Sequence, residues 1–331
     1  MKRATTIADV RAAVRRARQE GLTVALVPTM GALHNGHLAL VRRAAAEAEL
    51  VVVSIFVNPT QFDRPDDLAA YPRDLTADER LLAALGDAAP AVVFAPEVDE
   101  MYQQPPVTRV QVTGLTERLC GASRPGHFEG VATVVTKLLS IVAPDVAVFG
   151  RKDRQQLAVI ERLVEDLNLG VRIVGVQTVR DEDGVASSSR NARLAGPDRL
   201  AARALSRALM AGLKLVHEAR AAGHKIDPGV IADVMHTTMS DQDGVRADYA
   251  EVVDPATLQP PEGLVAATDR LVLAVAAFVG PVRLIDNVEA GVDADERALS
   301  DALDEPLDAV HLADDAGRDN EASAHEEGGY A

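Results

Sequence analysis

A chain of 331 residues with 47% apolar and 25% charged side chains has the composition of a soluble globular protein and the length for two domains. Its net charge of −16 is concentrated at one end, since residues 291–331 hold thirteen acidic side chains and two arginines, and the rest lacks the basic stripe of a nucleic-acid binder. A single cysteine, Cys120, excludes an intrachain disulfide, and neither a secretory signal in 1–7 nor the ~20 apolar residues of a membrane span is present, so a cytoplasmic protein without nucleic-acid or membrane partners is expected.

The first apolar run, 23–27, stops at Pro28 and reads as a strand. Leu38, Leu40, Val41, Ala44 and Ala45 then recur at helical spacing over 37–49. A continuous apolar run at 50–57 reads as a strand buried on both faces, which completes a βαβ unit with parallel strands. The alternation continues with strands at 91–94, 107–112, 146–149 and 171–176, and helices at 130–142 and 153–167. These predict a doubly wound, Rossmann-like α/β domain with a parallel sheet over 1–177. From 178 the pattern changes to helices at 197–222 and 228–239, followed by strands at 249–253, 271–278 and 282–285 without helical crossovers. A smaller α+β domain with an antiparallel sheet is expected over 178–290, joined to the first by the loop 178–189. Residues 291–331 have little to bury and read as an acidic, disordered tail.

The sharpest chemical signal is Met30-Gly31-Ala32-Leu33-His34-Asn35-Gly36-His37, between the first strand and the first helix. Ligands of open α/β sheets bind at the carboxyl ends of strands, and a helix N-terminus offers unpaired N–H groups to anions. Two imidazoles there could donate to phosphate oxygens; a metal pair or two capping histidines are the alternatives, and a third metal ligand is missing from the segment. Gly150-Arg151-Lys152-Asp153 opens a second helix after a strand, with Lys152 suited to phosphate and Asp153 to a helix cap or a ribose hydroxyl. Gln61 follows the second strand, and Gln156 sits one turn into the later helix. Either amide can donate to a carboxylate and accept from a hydroxyl. Ser187-Ser188-Ser189-Arg190, at the domain junction, combines hydroxyls with a fixed cation.

His34-Asn35-Gly36-His37 resembles the HIGH signature of class I aminoacyl-tRNA synthetases and related nucleotidyltransferases. Around it, Val27-Pro28-Thr29-Met30, Phe56-Val57-Asn58-Pro59-Thr60-Gln61-Phe62, Tyr71-Pro72-Arg73, His127-Phe128-Glu129-Gly130-Val131, Gly150-Arg151-Lys152-Asp153 with Gln155-Gln156, Ser188-Ser189-Arg190-Asn191 and Leu284-Ile285-Asp286-Asn287 are similar, in order, to the blocks of the pantothenate synthetase family. The resemblance implies a homodimeric ligase that activates pantoate with Mg·ATP as pantoyl adenylate and transfers it to β-alanine, releasing AMP and pyrophosphate. It implies ATP contacts from Met30, Gly31, Ala32, Leu33, His34, Asn35, Gly36 and His37. It extends them to Gly150, Arg151, Lys152, Asp153, Val179, Ser187, Ser188, Ser189 and Arg190. His34, His37 and Lys152 would be catalytic, Gln61 and Gln156 would bind pantoate and β-alanine, and Asp78 would help hold magnesium. The chain departs from the family at Arg151 and Arg154, usually Glu and Tyr, at Ser187, usually apolar, and at Ala77, where an acidic partner for Asp78 is expected. Helical spacing points Arg154 away from a cleft-facing Gln156. These departures motivate an alternative, a weakly active nucleotide-binding paralogue.

Overall fold

The larger sheet comprises β1 (Lys2–Ala4), β2 (Val24–Thr29), β3 (Leu50–Ile55), β4 (Val92–Phe94), β5 (Val146–Gly150) and β6 (Arg172–Val176), all parallel, in the order β1-β4-β3-β2-β5-β6. The computed structural model describes residues 1–103, 106–194, 196–266 and 269–304. Both faces of this sheet are covered, and the twofold alternation of strand side chains divides them. Leu26, Val52, Phe94, Ala147 and Phe149 point to one face, under α1 (Ile7–Gln19), α7 (His127–Val142) and α8 (Arg154–Asp166). Ala25, Val27, Val51, Val53, Val146 and Val148 point to the other, under α2 (Asn35–Glu47) and α4 (Leu75–Ala83). The short helices α3 (Pro65–Ala70), α5 (Val98–Met101) and α6 (Cys120–Ser123) lie in the connections.

The direction of winding reverses at β2, which leaves a crevice between the carboxyl ends of β2 and β5. Strand β2 pairs with β3 as far as Thr29, but with β5 only at Ala25 and Leu26, while β5 continues beside β6 to Gly150. Pro28, two residues past the last β2–β5 pair, has no N–H with which to extend a ladder. The two strands therefore part where a ligand would bind.

The second sheet is antiparallel, ordered β11-β10-β8, from β8 (Val245–Val253), β10 (Leu271–Val279) and β11 (Val282–Ala290); β7 (Lys225–Ile226) and β9 (Val265–Ala266) form a minor pair. Leu271, Leu273, Val275 and Ala277 of β10 pack under α9 (Pro197–Ala222) and α10 (Pro228–Ser240). Val272 and Ala274 face the other way and join Leu119, Phe128, Ala158 and Val159 of the larger half. Strand β10 is thus buried on both sides, and its second face seals the two halves together.

Two expectations change, and two elements are added. The apolar alternation at 107–112 forms no strand: β1 occupies the sheet edge beside β4, Val110 N–H bonds to Thr133 Oγ1 at 3.0 Å, and Val107 is 96% exposed. The helix α1 and strand β1 were not anticipated. The acidic segment is not disordered from 291 onward, because α11 (Asp293–Asp304) docks by Leu299, 0% exposed, and Glu296 accepts from Gly291 N–H and lies 3.0 Å from His217 Nε2. Residues 305–331 of the expected tail lie outside the described residues.

Leu299→Ala should lower stability by about 2–5 kcal/mol, the usual cost of emptying a buried leucine site. A chain ending at residue 290 should unfold at lower urea than one ending at 304. Coincident midpoints for the two truncations would contradict the docking of α11.

Candidate active site

The segment after β2 turns through two left-handed residues, Gly31 at φ 78° and Ala32 at φ 50°. A Cβ at Gly31 would lie 2.8 Å from Asp78 Oδ2, so the close approach as well as the φ calls for glycine. Asp78 accounts for that approach. Its carboxylate, 3% exposed, accepts from Ala32 N–H at 3.1 Å and Leu33 N–H at 2.8 Å and so pins the strained turn. Burial raises its pKa, and those two N–H bonds work against the rise. The chain then enters α2 through a reciprocal cap: His34 Nδ1 accepts from Gly36 N–H at 3.2 Å, and His37 Nδ1 from His34 N–H at 3.4 Å. With both Nδ1 atoms accepting, the proton of each neutral ring sits on Nε2. Burial, reinforced by Lys152, brings His34 to about 4, and burial with His34 and Lys152 nearby holds His37 well below its ordinary value. Both imidazoles line the cleft as neutral donors, their centroids 4.1 Å apart.

Across the crevice, β5 ends in a 3-10 turn, Arg151–Asp153, whose carbonyls are tied to the second sheet. Asn287 Nδ2 of β11 donates to Lys152 O at 2.6 Å and Arg151 O at 3.1 Å. Its neighbour Asp286 forms a buried bidentate pair with Arg180, at 2.7 and 3.1 Å. Arg180 begins the connector, which Asp181 shapes by accepting from Ser187 Oγ, Asn191 Nδ2 and Arg199. This places Ser188, Ser189 and Arg190 along the cleft, facing the turn that carries Lys152. Burial lowers the Lys152 pKa, and no ion pair or hydrogen bond engages its Nζ among the described residues. Arg190 reaches Asp67 of α3 at 3.2 Å, and Tyr71 Oη lies 3.5 Å from Ser189 Oγ, which closes the cleft on that side.

The cleft, ≈ 850 Å³, continues past Met30 to Gln61 and Gln156. Its size suits a nucleotide with a small second substrate.

The pantoate–β-alanine ligase family matches over residues 2–289. A pantothenate synthetase from Pseudomonas aeruginosa is 50% identical over 296 residues, covering 88% of this chain and all of that protein. One from Moorella thermoacetica is 50% identical, covering 86% and 96%. The chain belongs to the pantoate–β-alanine ligase family. The crystal structure of pantothenate synthetase from Thermus thermophilus superposes with a TM-score of 0.78 at 45% identity, covering 88% of this chain and 99% of that one. The Francisella tularensis ligase, complexed with β,γ-ATP and β-alanine, superposes at 0.67 with 32% identity, covering 87% and 97%.

Of the family-implied residues, Met30, His34, His37, Gln61, Lys152, Asp153, Gln156, Ser188, Ser189 and Arg190 line the cleft. Gly31, Ala32, Leu33, Asn35, Gly36 and Gly150 form the backbone behind it, and Val179 lies behind it too, its carbonyl accepting from Ser187 N–H at 2.9 Å. Ser187, 2% exposed, spends its hydroxyl on Asp181 rather than on the cleft. Asp78 is a brace for the 30–33 turn and not a cleft carboxylate. Arg151 turns over Gly175 of β6. Arg154 lines the same cleft as Gln156 instead of pointing away from it; it donates to Pro255 O at 2.8 Å and pairs with Glu289 at 3.6 Å, stitching α8 to the second half. No group of three or more His, Cys, Asp or Glu side chains among the described residues is arranged to hold a metal.

Buried neutral histidines should make the stability of this ligase fall in acid. His34 and His127 both have pKa values brought to about 4 chiefly by burial, below the ordinary 6.5. The unfolded chain therefore binds protons more readily, so stability is complete above pH 6.5 and falls as pH drops toward 4. Urea midpoints should decline through that window, less steeply in His127→Asn. A flat profile would contradict the assignment.

Proposed function

We propose that pantoate is adenylated in the β2–β5 crevice and that β-alanine then takes the acyl group. The observation that carries this reading is the fixed tautomer of His34 and His37, which leaves two neutral Nε2–H donors opposite the Lys152 ammonium. The pantoate carboxylate attacks the α-phosphorus of ATP, an oxygen–phosphorus bond forms, and pyrophosphate leaves. The neutral amine of β-alanine attacks the acyl carbonyl; AMP leaves, and the amine's proton is lost to solvent. His34 and His37 donate to phosphate oxygens as charge builds there, while Lys152, Ser188, Ser189 and Arg190 hold the departing pyrophosphate. Gln61 and Gln156 orient pantoate's carboxylate and hydroxyls, so much of the rate comes from placement.

Magnesium enters this reading only with the nucleotide. The described side chains do not fit a resident site, Asp78 being occupied by backbone N–H groups, and magnesium commonly binds through substrate phosphates and water. Bound there it would neutralise phosphate charge. A homodimer and a cytoplasmic location come with the same family reading; no helix among the described residues is long and apolar enough to cross a membrane.

His37→Ala and Lys152→Ala should each reduce turnover by about 10²–10³, the usual loss on removing one donor from developing charge. Circular dichroism should show both variants folded. Near-normal turnover in folded His37→Ala would remove the phosphate role, and ADP with phosphate as products would replace the adenylation scheme.

A further inference from the structure

Gln61, 7% exposed, is held by groups the reaction scheme does not use. Its backbone carbonyl lies 2.7 Å from His127 Nδ1 and also accepts from Arg124 Nη2 at 3.3 Å. A carbonyl can only accept, so the His127 proton sits on Nδ1 and its Nε2 lone pair meets Arg124 Nη1 at 3.3 Å. Asp63 anchors the same guanidinium at 3.1 Å. On the side-chain end, Asn58 Nδ2 donates to Gln61 Oε1 at 3.1 Å and to Gly130 O at 3.1 Å, while Tyr102 Oη donates to Asn58 Oδ1 at 2.9 Å. The fit between the Pro59–Gln61 turn and α7 is backbone on backbone: a Cβ at Gly130 would lie 2.4 Å from Thr60 O. Among the described residues Gln61 Nε2 meets only the thioether of Met30, at 3.0 Å, a weak acceptor. Its two N–H groups are thus left for a ligand of the cleft.

We propose that His127, backed by Arg124, is a positioning residue for pantoate: it locks the Gln61 carbonyl so that the Gln61 amide presents its N–H groups to the substrate carboxylate. The claim rests on the reading of Gln61 as a pantoate contact. Neither His127 nor Arg124 acts on ATP, so loosening them should weaken pantoate binding selectively. An asparagine can place an N–H where Nδ1–H now sits, whereas a leucine cannot.

The test is steady-state pyrophosphate release by the full chain, varying pantoate and ATP separately. His127→Leu should raise the pantoate KM about tenfold or more, the scale of one lost hydrogen bond, with kcat and the ATP KM changed far less. His127→Asn should restore most of the pantoate affinity. Gln61→Ala should raise the pantoate KM as well, and His127→Leu added to it should cost little more, because the two act through one contact. If His127→Leu does not fold, Arg124→Met, which removes a second donor to the same carbonyl and leaves α7 intact, should move the pantoate KM in the same direction. Equal changes in both KM values, or full additivity with Gln61→Ala, would overturn the positioning role. An unchanged pantoate KM in Gln61→Ala would instead overturn the reading of Gln61 itself.

Discussion

Arg180 and Asp286 meet as a buried bidentate pair, and the cleft is assembled around them. Asp286 lies on β11 of the second sheet; Arg180 opens the connector that leads to Ser188, Ser189 and Arg190. The next residue on β11, Asn287, holds the Arg151 and Lys152 carbonyls from behind. One strand therefore sets the distance between the serine-rich connector and the lysine turn, the two walls that would grip a triphosphate. A buried pair of this kind adds little net stability over an apolar replacement, but losing one partner strands the other at a cost of about 3–5 kcal/mol. Its value here lies in geometry, since Arg180 also donates to Gly184 O and so fixes the loop as well as the strand.

The opposite wall works by the same logic with uncharged groups. Asp78 spends its carboxylate on the backbone of a strained turn, and the imidazoles of His34 and His37 spend one nitrogen each on helix capping. What remains for a ligand is a pair of oriented Nε2–H donors that burial keeps neutral. Lys152 supplies positive charge nearby, and it in turn disfavours protonation of both rings. In the proposed mechanism, neutral donors beside Lys152 would follow charge as it moves from α-phosphate to pyrophosphate without trapping either ion tightly.

Much of this was legible in the chain. The 26-residue helix α9 was read to its observed ends because Pro197 starts it and Gly223, left-handed at φ 65°, stops it. The Val-rich strands and the His34–His37 segment were equally plain, since local pattern and tertiary role agree there. Helix α1 carries local signals of its own: Thr6 caps it, and Val10, Val14 and Ala17 form its buried face. The sequence pattern says less where a side chain's partner is set by the folded backbone instead of by spacing. Residues 107–112 have strand character, but β1 takes the place beside β4. Asp78 looks like a metal carboxylate until Ala32 and Leu33 are brought against it, Ser187 like a phosphate contact until Asp181 claims its hydroxyl. Leu299 sits in an acidic stretch whose composition hides one well-placed apolar residue.

Adenylation in this cleft requires a carboxylate oxygen of pantoate to attack the α-phosphorus of ATP. Pantoate labelled with heavy oxygen in its carboxylate, turned over with ATP and β-alanine, tests that step directly by mass spectrometry of the AMP formed. Transfer of one labelled oxygen to the phosphate of AMP is the predicted result. Label retained wholly in pantothenate, or found in inorganic phosphate, would contradict it.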